Sequence, residues 1–222
     1  MDTPYVKELI DRKSKRLKIK NMQSYDLNLS FLDGNPTPKG NLEWQVNEAR
    51  KMYDEMSKET SAFFNMMIKR DLLELDSKPG KAGGGYCTYI PKYEAPFIFA
   101  NFNGTSHDVD VLTHEAGHAF QVYESRNLDP NYRSELTASR SQAQGGEAAV
   151  YGTLRLTGGM EFLAWPWMEN FFKEDTNKYK FNHLAEAVSF LPYGALVDHF
   201  QYEVYKNYDM TPEERRLTWR KL

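Results

Sequence analysis

The chain has 222 residues, 41% hydrophobic and 14% aromatic, which is enough for one sizeable core and too apolar for a disordered chain. A net charge of −3 speaks against nucleic acid or an anionic membrane as partner, and no apolar run approaches the ~20 residues of a membrane span. One cysteine, Cys87, excludes an internal disulfide; with no apolar leader at the start, it predicts a cytoplasmic location.

Residues 2–20 carry seven Lys or Arg against three acids and read as a solvated helix, since no aromatics interleave with the charges. Asp33 to Gly40 is turn-rich, because its Gly and Pro fix backbone geometries that helices do not use. From Leu42 to about Leu75 the pattern is helical. One helix is predicted from Trp44 to Met56, and a second starts with Ser57 as cap and runs through Phe63, Phe64, Met67 and Leu72. Met52, Met56, Met66 and Met67 fall at helical spacing and read as core filling.

Lys78 to Gly85 is a glycine-rich loop without the G-K-[ST] ending of a phosphate-binding loop. Tyr86 to Ile90 and Pro96 to Phe102 form the clearest β signal, a hairpin closed by Pro-Lys-Tyr-Glu-Ala, with Cys87 as a small buried strand residue. An exposed edge of such a hairpin can pair with an extended peptide backbone or simply cap the core.

The hairpin leads into His114-Glu115-Ala116-Gly117-His118, the pattern H-E-x-x-H. On a helix, positions i and i+4 share one face, so both imidazoles can reach one metal ion. Glu115 then sits beside the metal rather than on it, where its carboxylate can take a proton from an activated water. Leu112, Ala116, Ala119, Phe120 and Tyr123 follow i, i+4, i+7, i+8, i+11 and predict a helix over 109–123 whose apolar face lies opposite the histidines. The bland alternative is a pair of surface histidines on an amphipathic helix.

Downstream, Met160 to Phe172 is apolar almost all round and predicts a buried segment, with Glu161 facing that block. Residues 181–206 read as a helix pair around Leu191-Pro192-Tyr193-Gly194. Thr211-Pro212-Glu213-Glu214 starts a last helix, with Thr211 as N-cap, Pro212 at N1 and Glu214 at N3.

DLNLSFLDGNPTPKG, KAGGGYCTYIP, PFIFANFNGT, VLTHEAGHAFQVYESR, MEFLAWPWMENFF and FLPYGALVDHFQ, in this order, resemble oligoendopeptidase F of the thimet-oligopeptidase family of zinc peptidases. The resemblance covers nearly the whole chain apart from 129–159. It implies a mainly α fold: a zincin-like helical catalytic core with a small antiparallel β-hairpin or sheet beside the zinc helix and a channel that admits oligopeptides. It also implies one zinc ion, with His114 and His118 as ligands and Glu115 as general base.

Three departures accompany it. The family supplies a glutamate as third ligand about two dozen residues after the second histidine. Counting forward reaches Gln142 or Ala143, and counting back from MEFLAWPW reaches Leu154; none is an acid. The stretch 129–159 is longer than the family segment and unlike it, as an insertion or a local shift of reading frame would produce. The family's N-terminal helical region and its C-terminal segment, source of the oxyanion-stabilising His and Tyr, lie outside the sequence. Residues 1–222 are therefore expected to form a single partial catalytic domain. His183, Tyr193 and His199 read as structural residues.

Glu147 is the sole acid between Glu135 and Glu161, and Ala148-Ala149-Val150 after it can start a helix. It is the candidate third metal ligand, against the reading of a solvated loop glutamate. The expected function is zinc-dependent hydrolysis of oligopeptides. The alternative is a catalytically inactive remnant that folds and holds metal weakly. Another H-E-x-x-H hydrolase, such as an aminopeptidase, is disfavoured by GGGYCT and PFIFANFNGT.

Overall fold

The computed structural model describes residues 4–127 and 158–222. In chain order run α1 (Pro4–Leu17), α2 (Leu42–Met56), α3 (Lys58–Lys69), β1 (Leu73–Asp76), β2 (Tyr86–Ile90), β3 (Ala95–Phe102), α4 (Ser106–Glu124), α5 (Met168–Phe172), α6 (Thr176–Lys206) and α7 (Pro212–Lys221). The fold is mainly α with a small sheet, as the resemblance implied. Contacts divide it into two units, Pro36–Thr176 and Met1–Asn35 with Asn177–Leu222.

In the unit 36–176, Asn41 caps α2 by accepting the Trp44 amide, and Ser57 caps α3 in a capping box with Thr60. Tyr53, Phe63, Phe64, Met52 and Met67 are almost completely buried between the two helices and their neighbours, while Met56 and Met66 are half-buried. The helical pattern does not reach Leu75. Asp71 adopts a left-handed φ of 54° and turns the chain, after which Leu73 and Leu75 alternate with acids in a short strand. The sheet is therefore mixed rather than a plain antiparallel hairpin: its order is β1-β3-β2, with β1 parallel and β2 antiparallel to β3. The Lys81 side chain, 8% exposed, donates to the carbonyls of Glu74, Asp76 and Ala100 and ties the glycine-rich loop to the sheet.

The block 160–172 is buried on one side only. Met160, Ala164, Met168, Phe171 and Phe172 are inside, but Phe162 and Leu163 lie on the other face of the segment and are exposed, and a 3-10 turn at Trp165–Trp167 follows. Trp167 donates its indole N–H to Glu55 at 2.7 Å, joining this block to α2.

In the other unit, α6 is one continuous helix through Pro192 rather than a helix pair. Arg16 stacks over Phe31 and Phe181, and Lys178 pairs with Asp33 at 2.6 Å. α7 starts with the capping box of Thr211 and Glu214.

Candidate metal centre

A buried carboxylate sets the start of α4. Asp108, 3% exposed, accepts the backbone N–H groups of Asn103 at 3.0 Å and Gly104 at 2.7 Å. Gly104 takes φ +84°, which a residue without Cβ adopts readily, so the chain folds from β3 directly into the helix. α4 packs against β3, β2, α2 and α3, and its Val109, Leu112, Ala116 and Ala119 are each at most 1% exposed. Phe63 of α3 meets Phe120 and Tyr123 edge-on or tilted at ring distances of 5.4 and 5.6 Å. The expected apolar face is thus the packed face, and the histidines stand on the other.

His114 and His118 turn their Nε2 atoms toward each other at 3.2 Å. A tetrahedral zinc ion with imidazole nitrogens at ~2.0–2.1 Å separates two such ligands by roughly 3.3 Å, so the two atoms already stand at ligand spacing. Burial, together with the charge of His114, lowers the His118 pKa to about 4 against the opposing pull of Glu161, which keeps this ring neutral and able to ligate near pH 7. Its Nδ1 is buried without a hydrogen-bond partner among the described residues.

Glu161 is the site residue that the sequence did not reveal. It does not face the apolar block: its carboxylate meets His114 Nδ1 at 2.5 Å, from a helical segment over 158–163. Burial disfavours a charged His114, but the hydrogen bond and charge of Glu161, helped by Glu115 and Asp110, outweigh it and raise the pKa. The apolar flanks Met160 and Ala164, both buried, signalled an inward segment, but nothing local in the sequence named His114 as the partner of Glu161.

Glu115 is half-buried, and burial raises its pKa against the opposing charge of His114 and a hydrogen bond from the backbone amide of Cys87. β2 therefore runs beside this carboxylate. Burial and the Glu115 charge push the Cys87 thiol up, which fits a strand residue and not a nucleophile.

Glu147, with Gln142, Ala143 and Leu154, lies outside the described residues. Among the described residues no group of three His, Cys, Asp or Glu surrounds one point, so the described site offers two imidazole ligands. These fit zinc in donor type and spacing. His183, Tyr193 and His199 belong to the other unit, where His183 is buried against Tyr179, Tyr193 lies exposed beside Trp219, and His199 stands 3.9 Å from Glu203.

The model of peptidase family M3 matches residues 42–138, which include the whole of α4. A solved structure of a provisionally assigned oligoendopeptidase F from Bacillus anthracis str. Ames is 50% identical over 98% of this chain, with a TM-score of 0.85. The chain belongs to peptidase family M3. PZ peptidase A, solved with an inhibitor, is 48% identical to this M3 chain over the same 98%, with a TM-score of 0.85. A second provisionally assigned oligoendopeptidase F gives 50% identity and a TM-score of 0.86. The M3 chain spans 38%, 37% and 36% of the lengths of these three proteins, respectively. No curated protein matches it.

Proposed function

We propose that this M3 chain is a zinc-dependent endopeptidase that hydrolyses peptide bonds of oligopeptides in the cytoplasm. The observation that carries the reading is the 3.2 Å approach of the two Nε2 atoms on one face of α4, with Glu115 next to them in sequence. His114 and His118 would hold the ion, and Glu147 is the proposed third ligand. When bound, zinc supplies Lewis acidity toward a carbonyl and lowers the pKa of water.

The proton work falls to Glu115. Burial lifts its carboxyl above the ordinary range, closer to neutral pH, where a base both accepts a proton and returns it to a leaving amine efficiently. The Cys87 amide steadies that carboxylate. Among the described residues β2 is an edge strand, paired only with β3, so an extended peptide can lie along it with its backbone near Glu115. The lone thiol supports a reducing compartment, and no described helix is long and apolar enough to cross a membrane.

The presence of only two described ligands favours a second reading, a chain that holds metal without turnover. Zinc analysis combined with hydrolysis of a quenched fluorescent peptide separates the two. The endopeptidase reading expects hydrolysis by the zinc-loaded chain and loss of at least roughly 100-fold in rate for Glu115→Gln, with zinc content unchanged. Zinc uptake without hydrolysis supports the second reading, and undiminished hydrolysis by Glu115→Gln removes that residue from the base role.

A further inference from the structure

We propose that Glu161 is a positioning residue: it holds the proton of His114 on Nδ1 and so aims the Nε2 lone pair at the metal. The assignment rests on the zinc reading of the two histidines. A neutral imidazole carries one proton, and whichever nitrogen keeps it cannot ligate. An ionised carboxylate only accepts, so Glu161 at 2.5 Å selects the tautomer with the proton on Nδ1. That choice leaves Nε2 unprotonated on the side that faces His118 Nε2. Because the two ring nitrogens point in diverging directions, a carboxylate seated on Nδ1 orients the ring from behind the ligand position and is not itself the third ligand.

The placement is built rather than incidental. Glu161 is 16% exposed and His114 33%, so solvent competes weakly for the hydrogen bond. The backbone that carries Glu161 is held on both sides, by Met160 at 9% and Ala164 at 0% exposure, and the same block is joined to α2 by the Trp167–Glu55 hydrogen bond. A residue 47 positions away in sequence is thus anchored over one ring of the H-E-x-x-H pair. Carboxylates that accept the second N–H of a metal-bound histidine fix its tautomer and raise its basicity, and their removal typically weakens metal binding by roughly 10- to 100-fold.

The test uses the full chain and its Glu161→Gln and Glu161→Ala variants, with two readouts that need no catalysis. Two-bond 1H–15N correlations of His114 in the zinc-free chain, at a pH where the ring is neutral, report the tautomer. Competition with a chromophoric chelator reports the zinc Kd. The expected result is a His114 ring protonated on Nδ1 in the wild type, a shift toward the Nε2 tautomer in the variants, and a zinc Kd raised by roughly 10- to 100-fold at unchanged helix content. The Gln variant keeps the shape of Glu161, and the wild-type spectrum is informative even if the Ala variant does not fold. An Nε2 tautomer in the wild type, or a folded Gln variant that binds zinc as tightly as the wild type, overturns the role of Glu161 alone. No zinc uptake by the wild type overturns this role together with the reading beneath it.

Discussion

Two imidazole nitrogens 3.2 Å apart repel each other when both present lone pairs, so a proton or a cation must lie between them. Since His118 is held neutral to well below pH 7, a cation with imidazole affinity competes effectively for that place. His118→Ala should therefore weaken zinc binding by roughly 100-fold or more while leaving the helix content unchanged, as chelator competition and circular dichroism would show. Equal affinity in the variant would place the metal elsewhere. His114, Glu115 and His118 were legible in the sequence because their spacing and the helix period are both local facts. Glu161 was not, because which side of a short interrupted helix faces α4 depends on packing between segments far apart in sequence. The apolar surroundings of Glu161 pointed inward, but the partner that makes an inward carboxylate tolerable is itself a site residue.

Among the elements, the helices were legible where caps and periodicity agree. Ser57 at the α2–α3 junction and Thr211 before α7 both hold their predicted N-cap positions. Ser57→Ala removes the acceptor of the Thr60 amide at 3.1 Å and should cost about 1 kcal/mol in a denaturant melt. An unchanged midpoint would mean that the cap is redundant. Two elements escaped the sequence for different reasons. β1 was hidden because no Gly or Pro marks the turn at Asp71, and a four-residue strand is too short to show its period against a helical run. α6 was split at Pro192, yet the helix continues through it. A proline inside a helix loses one backbone hydrogen bond and crowds the preceding turn, at a cost of about 3 kcal/mol when unrelieved. Pro192→Ala should thus stabilise α6, seen as slower amide exchange over 186–196. Faster exchange there would show that Pro192 is favoured where it stands.

For the whole molecule, ligand linkage gives the clearest expectation. A metal that binds the folded chain and not the unfolded one stabilises it by about 2.7 kcal/mol at a free concentration 100 times its Kd. Zinc should raise the Tm and a chelator should reverse the rise; identical Tm values would contradict metal binding by the folded state. α6 also leaves Phe190, Leu191, Tyr193 and Tyr205 more than half exposed, which predicts concentration-dependent self-association in sedimentation experiments. A strictly monomeric chain at high concentration would show that these side chains are tolerated in water. At this scale the mainly α class and the small sheet followed from the family-like blocks. The grouping of residues 4–35 with 177–222 did not, because a pairing of distant segments leaves no local mark in composition or period.

Two imidazoles on α4 are expected to converge on one zinc ion. X-ray absorption at the zinc edge on the purified chain tests it most directly, with His118→Ala as control. One zinc per chain is expected, with nitrogen scatterers at ~2.0–2.1 Å, the outer-ring signature of two imidazoles, and loss of half that signature in the control. A zinc-loaded chain with no imidazole signature, or a control indistinguishable from the wild type, would contradict it.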